Sequence, residues 1–339
     1  MNAIAYHLDP LPGLAGLTVR DQELPQPGPN QVVIRVRAAS LNRRDLMLMN
    51  GSYPLPATPD IIPLSDGVGE VIAVGDEVTR TSLGDRVTAS YFVHYINGPQ
   101  RLAHVAEQYG ANYNGMLATY AVIEEDSVVH VPEHLTDVEA ATLTCAGVVA
   151  WAALTTPVPV SADQTILTVG TGTVALFAVQ HAKMLGARVI SITSGPDKAE
   201  RLHKLGADET IDRNVTFDWD QRVLELTGGH GVEHVVEAVG LPTLSKSVRS
   251  AGYNAMITMI GAVQLPPGQP FENPFVGPYL AIRRIAVGSR DDFEAMNRTI
   301  TAHRMRPVID RMFPLDQAEE AYRYFRDDNP FGKVVITMP

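Results

Sequence analysis

TILTVGTGTVALFAVQHAKMLGARVISIT, residues 165–193, decides the fold of one half of the chain. It begins with the continuous apolar run TILTVG, which is typical of a strand in a parallel sheet covered on both faces. The segment that follows has an apolar helical face, and Gly186 ends it. The residues on that face are Val174, Phe177, Ala178, Ala182 and Leu185. A second strand, ARVISIT, and later strands at VEHVVEAVG, AMITMIGA and RRIAVGS predict a doubly wound parallel sheet.

The junction between the first strand and its helix carries the motif G-x-G-x-x-A. Gly170 permits a tight turn, Gly172 lets the backbone approach a pyrophosphate, and Ala175 allows close packing of helix on strand. The free N–H groups of the first helical turn then face the phosphates. The residues predicted to border them are Gly170, Thr171, Gly172, Thr173 and Val174. In a strand–helix–strand unit the motif predicts dinucleotide binding; the alternative is a glycine turn that binds no nucleotide.

The residues at the end of the second strand predict whether the cofactor is NADP(H) or NAD(H). An NAD site normally has Asp or Glu about 20 residues after the glycines, whereas here the position holds Thr193 or Ser194. A hydroxyl and a cation suit a 2′-phosphate, and Lys198 and Arg213 are the cations that could reach it. The alternative is that Lys198 is a solvated helix residue and Arg213 a loop charge. Asp197 is the counter-evidence, but it is expected in the first turn of the next helix. We therefore predict NADP(H).

Composition limits the class of protein. The chain has 339 residues, a net charge of −11 and a single cysteine, Cys145, and its isoelectric point is about 5.3. The acidic balance argues against nucleic-acid binding, and the lone cysteine fits a reducing compartment. The first residues show no basic stretch before an apolar run, so we expect no signal peptide. The apolar run 140–154 is too short to span a membrane. We expect a cytoplasmic protein with no membrane partner.

The remaining sequence has a different pattern of residues. Residues 1–126 are rich in short β-branched runs, and their many prolines prevent long helices. The tail from about Asp291 predicts a helix, a mixed segment and a last strand, GKVVITM. A long irregular loop, HYINGPQRLAHVAEQYGANYNGM, interrupts the first part.

Nearly the whole chain resembles the medium-chain dehydrogenase/reductase superfamily. The matching pieces are LNRRDLM, PLSDGVGEVIAVGDEV, GDRV, NGMLATYAV, AATLTCAGVVAWAAL, VGTGTVALFAVQHAKMLGARVI, KLGADETID and FGKVVI. The resemblance implies an α/β fold class: a GroES-like, β-rich catalytic domain from residues 1–126 and 290–339, and a doubly wound Rossmann domain from residues 127–289.

Zinc-using members of that superfamily resemble this chain only in part. They carry cysteine where Asn42 stands here and His-Glu where Ser65-Asp66 stand, and their third ligand falls near Cys145. One thiolate cannot hold a catalytic zinc, which needs three protein ligands. The pairs His130/His134 and His230/His234 are interrupted by proline or glycine, and ordinary histidines are expected there. We therefore predict no metal site.

Asn42 and Tyr53 resemble residues of the quinone oxidoreductase branch. The resemblance implies that Asn42 orients the nicotinamide amide or the substrate oxygen, that Tyr53 contacts substrate, and that Asp45 holds the local turn. It also implies a cofactor border formed by Gly240, Gly261, Val263 and Ser289, with Lys333 reaching the pyrophosphate. Thr173, where relatives usually have glycine, and the insertion-like loop 96–112 depart from the pattern. A homodimer joined along RRIAVGS is a further implication.

Without a Lewis acid, reduction of an unactivated ketone is harder than reduction of a conjugated alkene or a quinone, whose charge spreads onto an oxygen. We predict an NADPH-dependent reductase of quinones or α,β-unsaturated carbonyls, with Tyr53, Tyr91 or Tyr113 as candidate proton donors. One alternative is a zinc-free alcohol dehydrogenase or ketone reductase. The other is an NADPH-binding protein with little turnover.

Overall fold

The computed structural model describes residues 3–9, 16–268, 270, 272–273 and 276–339. The chain divides into two compact units: unit 1 is Met1–Val148 with Val287–Pro339, and unit 2 is Val149–Ala286. The second boundary lies close to the predicted 289/290, but the first lies well after the predicted 126/127. The reason is that residues 128–130 form a strand that pairs inside unit 1. Pro10 and Pro12, two of the helix-breaking prolines, lie outside the described residues.

The regular elements are numbered along the chain. The strands are β1 (Ile4–Leu8), β2 (Leu17–Asp21), β3 (Gln31–Ser40), β4 (Asp66–Val74), β5 (Arg86–Ala89), β6 (Tyr120–Glu124), β7 (Val128–His130), β8 (Thr165–Val169), β9 (Arg188–Thr193), β10 (Glu209–Asp212), β11 (Val232–Glu237), β12 (Ala251–Met259), β13 (Ala281–Arg284), β14 (Ile309–Pro314) and β15 (Lys333–Thr337). The helices are α1 (Arg43–Met49), α2 (Leu102–Ala106), α3 (Asp137–Ala140), α4 (Val148–Thr155), α5 (Thr173–Met184), α6 (Pro196–Lys204), α7 (Trp219–Leu226), α8 (Leu241–Arg249), α9 (Arg290–His303) and α10 (Ala318–Asp327). Residues Leu143–Gly147 form a π-helical turn directly before α4.

Unit 2 is the doubly wound sheet that its sequence predicts. Its strand order is β10-β9-β8-β11-β12-β13, and every neighbouring pair is parallel. This is the order of the dinucleotide-binding fold. Four of the five residues of β8 are buried, as expected of a central strand. The predicted strand RRIAVGS is misplaced: β13 covers residues 281–284, because β12 offers it partners only from Met256 to Met259.

The helices of unit 2 begin and end where the sequence predicts. α5 starts directly after the glycine motif and buries Phe177, Ala178 and Ala182 against the sheet. Gly186 follows it at φ +84°, a conformation that glycine adopts without strain. α6 starts at Pro196, the favoured place for proline in a first turn.

Unit 1 is built on a sheet that joins both ends of its chain. The strand order is β14-β15-β3-β4-β5-β7, and β6 also pairs with β3. β3 buries seven of its ten residues, including Val32, Val33 and Ile34 at 0% exposure. The tail strand β15 runs antiparallel to β3, with Val335 opposite Ser40. The predicted return of the tail to the first domain is therefore confirmed.

Two further features of the chain bear on its function. The long loop predicted from residues 94–116 contains the short helix α2. In the part of the chain that the structure describes, no helix combines the length and the apolarity needed to cross a bilayer.

Candidate active site

The register of three neighbouring strands in unit 1 brings together residues that lie far apart in the sequence. β3 ends at Ser40, opposite Asp66 at the start of β4. β15 begins at Lys333, and the backbone N–H of Leu41 donates to the carbonyl of Val334. Asn42, the next residue after this pairing, therefore lies beside both Asp66 and Lys333. A hydrogen-bonded cluster of side chains at one end of the sheet results.

The cluster is centred on the ammonium of Lys333. Its Nζ donates to Oδ1 of Asn42 at 2.7 Å and to Oδ2 of Asp66 at 3.1 Å. The second oxygen of Asp66 accepts from the Ser65 hydroxyl at 2.8 Å. Lys333, Asp66 and Ser65 are all 0% exposed. A buried ion pair persists only when hydrogen bonds satisfy both charges, and here Ser65 completes the carboxylate while Asn42 completes the ammonium.

Asn42 is also the residue that starts α1, but its side chain takes no part in capping that helix. Capping falls to Asp45, whose Oδ2 accepts from the backbone N–H of Asn42 at 2.8 Å. The predicted role of Asp45 in holding the turn is confirmed. Burial raises the pKa of Asp45 to about 6 despite the nearby Arg44 guanidinium. The Asn42 amide is thereby free to point elsewhere, and its Nδ2 is buried without a hydrogen-bond partner among the described residues.

The positions at which zinc-using relatives hold their metal do not fit zinc here. They carry an amide (Asn42), a hydroxyl (Ser65) and one thiol (Cys145). The ammonium of Lys333 touches Asn42, so a divalent cation at this place would meet a positive charge. Burial raises the pKa of the Cys145 thiol, with Asp66 adding to the effect, which opposes thiolate ligation. Over the described ranges, no three His, Cys, Asp or Glu side chains converge as a metal site.

Cys145 lies in the π-helical turn between α3 and α4. Such turns are rare and often mark functional positions. The predicted buried helix of residues 140–154 is thus present with this interruption. Two of the four histidines considered as ligands have other partners: His130 bonds to Asp85 at 3.2 Å, and His134 bonds to the carbonyl of Met305 at 2.9 Å. His234 is buried, and its Nδ1 has no hydrogen-bond partner among the described residues.

A second cluster in unit 1 contains two of the three candidate tyrosines. The hydroxyls of Tyr53 and Tyr91 lie 2.9 Å apart, and each lies 3.1 Å from Oε1 of Gln108. Gln108 is held in turn, because its Nε2 donates to the carbonyl of Val105 at 2.7 Å. Tyr91 is 3% exposed, whereas Tyr53 is partly exposed and also lines a cavity of about 280 Å³. Tyr53 is therefore the member of the pair that a substrate can reach.

Arg44 supplies the charge of this tyrosine cluster. Its guanidinium carbon lies 5.4 Å from the ring centre of Tyr53 and 4.8 Å from that of Tyr91. Burial raises the pKa of Tyr91 well above its usual range, and Arg44 opposes that shift. Tyr113 is not part of the cluster, because its hydroxyl bonds to Glu107 at 3.2 Å.

The glycine loop of unit 2 has room where a cofactor pyrophosphate would lie. Gly170 has φ +104°, and a side chain there would also approach Val239. Gly172 precedes the first residue of α5, and a Cβ on it would meet no atom within 4 Å. Open space before a 12-residue helix whose first N–H groups are free suits a pyrophosphate. Ala175 is fully buried, as close helix packing requires. The loop fits a dinucleotide.

The residues predicted to choose between NADP(H) and NAD(H) surround the end of β9. The Thr193 hydroxyl is buried and has no hydrogen-bond partner among the described residues. Ser194 and Lys198 are partly exposed, and Asp197 is exposed in the first turn of α6, as expected. Arg213 is exposed and follows β10; its backbone N–H donates to the carbonyl of Thr193 at 3.0 Å. Two cations therefore lie near a strand end whose own last residue is not a carboxylate.

The remaining cofactor residues divide into two groups. Gly240 and Val263 form a β-bridge, and a side chain on Gly261 would overlap the backbone of Val239. These three thus meet at one edge of the unit 2 sheet, where the parallel strands end. Ser289 belongs to unit 1, where its hydroxyl lies 2.7 Å from the Asp292 carboxylate and caps α9. The expected contact of Lys333 with the pyrophosphate stays a prediction; in the structure its ammonium donates to Asn42 and Asp66.

Sequence reasoning missed Gln108 and Arg44. Gln108 is 5% exposed and accepts from two tyrosine hydroxyls, yet it lies in the long loop that looked irregular. Arg44 is also 5% exposed, and its position beside Asn42 in LNRRD was the one available signal.

Comparison with known proteins agrees with the fold of the two units. The model of the zinc-binding dehydrogenase family matches residues 173–302, and that of the alcohol dehydrogenase GroES-like domain matches residues 28–133. A zinc-type alcohol dehydrogenase-like protein of Schizosaccharomyces pombe is 37% identical, over 97% of both chains. An acryloyl-coenzyme A reductase of Metallosphaera sedula is 28% identical, over 95% of this chain and 96% of its own. The structure of a Pseudomonas syringae quinone oxidoreductase superposes with a TM-score of 0.78 at 27% identity, over 99% of both chains.

Proposed function

Because the chain belongs to the medium-chain dehydrogenase/reductase superfamily, we propose that it is a zinc-independent, NADPH-dependent reductase of quinones or α,β-unsaturated carbonyl compounds. The observation that carries the proposal is the unpartnered amide donor of Asn42 beside the Lys333 ammonium, at positions where other members hold a metal. An oxygen that gains charge during the reaction would satisfy that donor.

The glycine loop and the end of β9 would hold the cofactor. The N–H groups at the start of α5 bind the pyrophosphate, with Gly172 leaving the space for it. Thr193, Ser194, Lys198 and Arg213 receive the 2′-phosphate, since hydroxyls and cations suit it better than a carboxylate does. When bound, NADPH supplies a hydride, which adds to the β-carbon of an enone or to a quinone.

Asn42 would stabilise the charge that this addition creates. Hydride addition moves an electron pair onto the carbonyl oxygen of the acceptor. A donor fixed before the reaction stabilises such a charge without having to reorganise, and one such donor is worth roughly 10²- to 10³-fold in rate. Asn42 is 7% exposed, so water competes little for its Nδ2.

Tyr53 would return the proton. Its hydroxyl is held between Tyr91 and Gln108, and its partly exposed position makes it the reachable donor. The tyrosine O–H bond breaks, and a C–H bond forms at the α-carbon of the enone, or an O–H bond at the quinone oxygen. The Arg44 guanidinium, 5.4 Å from the ring centre, stabilises the tyrosinate until it is protonated again.

The relatives support more than one acceptor class. An acryloyl-coenzyme A reductase carries a conjugated alkene in its name, and the structural neighbour is a quinone oxidoreductase. The 37% identical relative is named a zinc-type alcohol dehydrogenase-like protein, which favours the alternative of an alcohol dehydrogenase or ketone reductase but does not support its being zinc-free. An NADPH-binding protein with little turnover is the other alternative, and the Tyr53 cluster argues against it.

A cytoplasmic homodimer is part of the proposal. Among the residues that the structure describes, β13 ends the unit 2 sheet and pairs with β12 alone, so its other edge is available to a second copy. Tyr253 and Tyr279 near it are 73% and 83% exposed. Light scattering coupled to size exclusion should give twice the chain mass of 36.8 kDa, and a monomer would contradict this part.

The test of the proposed reaction is a panel of acceptors offered with NADPH or NADH. The panel contains 1,4-benzoquinone, 1,4-naphthoquinone, 2-cyclohexen-1-one, acryloyl-coenzyme A and the saturated ketone cyclohexanone, and the nicotinamide absorbance gives the rate. We expect turnover of at least one quinone or conjugated acceptor, at least 10-fold faster with NADPH, and none of cyclohexanone. Turnover of cyclohexanone alone would support the ketone reductase, and NADPH binding without turnover would support the binding protein.

A further inference from the structure

The amide of Asn42 is fixed at one end and unpartnered at the other. Its Oδ1 lies 2.7 Å from Nζ of Lys333, whereas its Nδ2 is buried with no partner in the described parts of the chain. A buried donor without a partner is costly and rare in native proteins. The cost is understandable if the free donor serves a ligand.

The chemistry of Lys333 decides which end of the amide is free. An ammonium has three N–H donors and no acceptor, so it can face only the oxygen of an amide. A rotated amide would place Nδ2 against Nζ, donor against donor. Charge-assisted hydrogen bonds of this kind are among the strong ones in proteins. Lys333 therefore sets the orientation of Asn42.

Burial and a second hydrogen bond hold the Lys333 ammonium in this position. It is 0% exposed, its other bond goes to Asp66 at 3.1 Å, and Asp66 is held by Ser65 at 2.8 Å. It is also the single lysine in residues 1–148 and 287–339, so no other ammonium of unit 1 can replace it. The chain Ser65–Asp66–Lys333–Asn42 is continuous, and its last atom, Nδ2, lacks a partner among residues 3–9, 16–268, 270, 272–273 and 276–339.

We propose that Lys333 is a positioning residue that orients the Asn42 amide, so that its Nδ2 is offered to the carbonyl oxygen of the acceptor. This inference rests on the proposed function for the identity of the ligand, but not for the orientation itself. It replaces the pyrophosphate contact expected of Lys333.

The experiment removes the charged pair together, because Lys333→Met alone would leave Asp66 as a buried, unpaired charge and risk unfolding. The variants are Asp66→Asn/Lys333→Met, Asn42→Ala and the triple combination. Lys183→Met is the control, since Lys183 also pairs with a carboxylate, Asp208 at 2.9 Å, but lies outside the proposed site. Three quantities are measured: kcat and KM with the best acceptor of the panel, NADPH Kd by nicotinamide fluorescence, and unfolding in urea.

We expect Asp66→Asn/Lys333→Met to lose about 10- to 100-fold in kcat, because an unoriented donor stabilises the oxyanion poorly. KM for the acceptor and Kd for NADPH should change less than 3-fold. On the Asn42→Ala background the same pair of changes should cost less than 2-fold more in kcat. Lys183→Met should match the wild type in kcat and Kd. An equal loss of kcat on both backgrounds would overturn the proposal, and a large rise in NADPH Kd would restore the pyrophosphate contact.

Urea unfolding separates a failure of this inference from a failure of the proposed function. In a double-mutant cycle, the unfolding constants of the four proteins should show a coupling of at least 5-fold between Asn42 and the Asp66–Lys333 pair. If the wild type reduces no acceptor in the panel, the proposed reaction is wrong, and this coupling still decides whether Lys333 holds Asn42. Absence of coupling overturns the inference whether or not there is turnover.

Discussion

The candidate sites of unit 2 and unit 1 differ in how far apart their residues lie in the sequence. The glycine loop of unit 2 lies within residues 170–174, and each part of it was recognisable from its neighbours. The cluster of unit 1 joins Asn42 to Lys333 across 291 positions of sequence. Local sequence therefore specifies a backbone site, whereas sheet register specifies a side-chain site.

The two units also offer different chemistry. Unit 2 presents open space at Gly172 and the N-terminus of α5, an arrangement that suits a phosphate and offers no side chain for the reaction itself. Unit 1 presents buried side chains with fixed charges around an unpartnered donor. Changes in unit 2 should then alter cofactor affinity, and changes in unit 1 should alter the rate. The following predictions test that division.

The largest effect is expected at Gly172. Gly172→Val places a branched side chain in the space proposed for the pyrophosphate and should raise the NADPH Kd at least 100-fold. Its φ of −76° allows any residue, so the fold should tolerate the change. Gly172→Ala is the graded control and should raise Kd less. Fluorescence titration measures both, and an unchanged Kd for the valine variant would remove the loop from the cofactor site.

Asn42→Asp tests whether a change in unit 1 alters the rate without altering cofactor affinity. The aspartate keeps an acceptor for Lys333 but loses the donor, so kcat should fall about 100-fold. NADPH Kd should stay within 3-fold of the wild type, as measured by the same titration. Retained kcat would show that Nδ2 does not serve the reaction.

Tyr53→Phe should lower kcat by about 10- to 100-fold, because the proposed proton donor is lost. Tyr113→Phe is the matched control: its hydroxyl bonds to Glu107, outside the tyrosine cluster. That variant should keep the wild-type rate within 2-fold. Equal losses in the two variants would mean that aromatic packing, rather than proton transfer, accounts for the effect.

The smallest effect concerns the choice of cofactor. Lys198→Ala should reduce the preference for NADPH over NADH by roughly 10-fold in kcat/KM, since one cation facing the 2′-phosphate is removed. Lys204→Ala, also in α6 but paired with Glu200 at 2.6 Å, is the control. A preference that is equal in both variants and in the wild type would assign Lys198 to the solvated face of α6.

The fold was predictable wherever periodicity is local. The continuous run TILTVG, the helix closed by Gly186 and the return of GKVVITM to the first domain were all found as expected. The strand predicted at RRIAVGS was misplaced because a strand needs a partner. The last residue of β12 in the pairing, Met259, lies opposite Arg284, so β13 ends there. Residues 128–130 were assigned to the wrong unit because their pairing with β5 crosses about forty residues of sequence.

The site was predictable only in its residue types. Asn42 and Tyr53 were identified from a resemblance, but the sequence could not show that the Asn42 amide turns away from α1. The contact of Lys333 with a phosphate was likewise an implication of the resemblance. The burial of Lys333 depends on Asp66, which the register of β3 with β4 brings into place. Side-chain direction at a strand end is fixed by such long-range pairing.

We propose that this site works without a metal ion, through the Asn42 amide that the Lys333 ammonium orients. The most direct measurement is elemental analysis for zinc on the purified protein, together with the rate of its best acceptor before and after dialysis against a chelator. We expect less than about 0.1 zinc per chain and an unchanged rate, since three protein ligands are needed to retain a catalytic zinc. One zinc per chain, with activity lost on chelation and restored by zinc, would contradict the account.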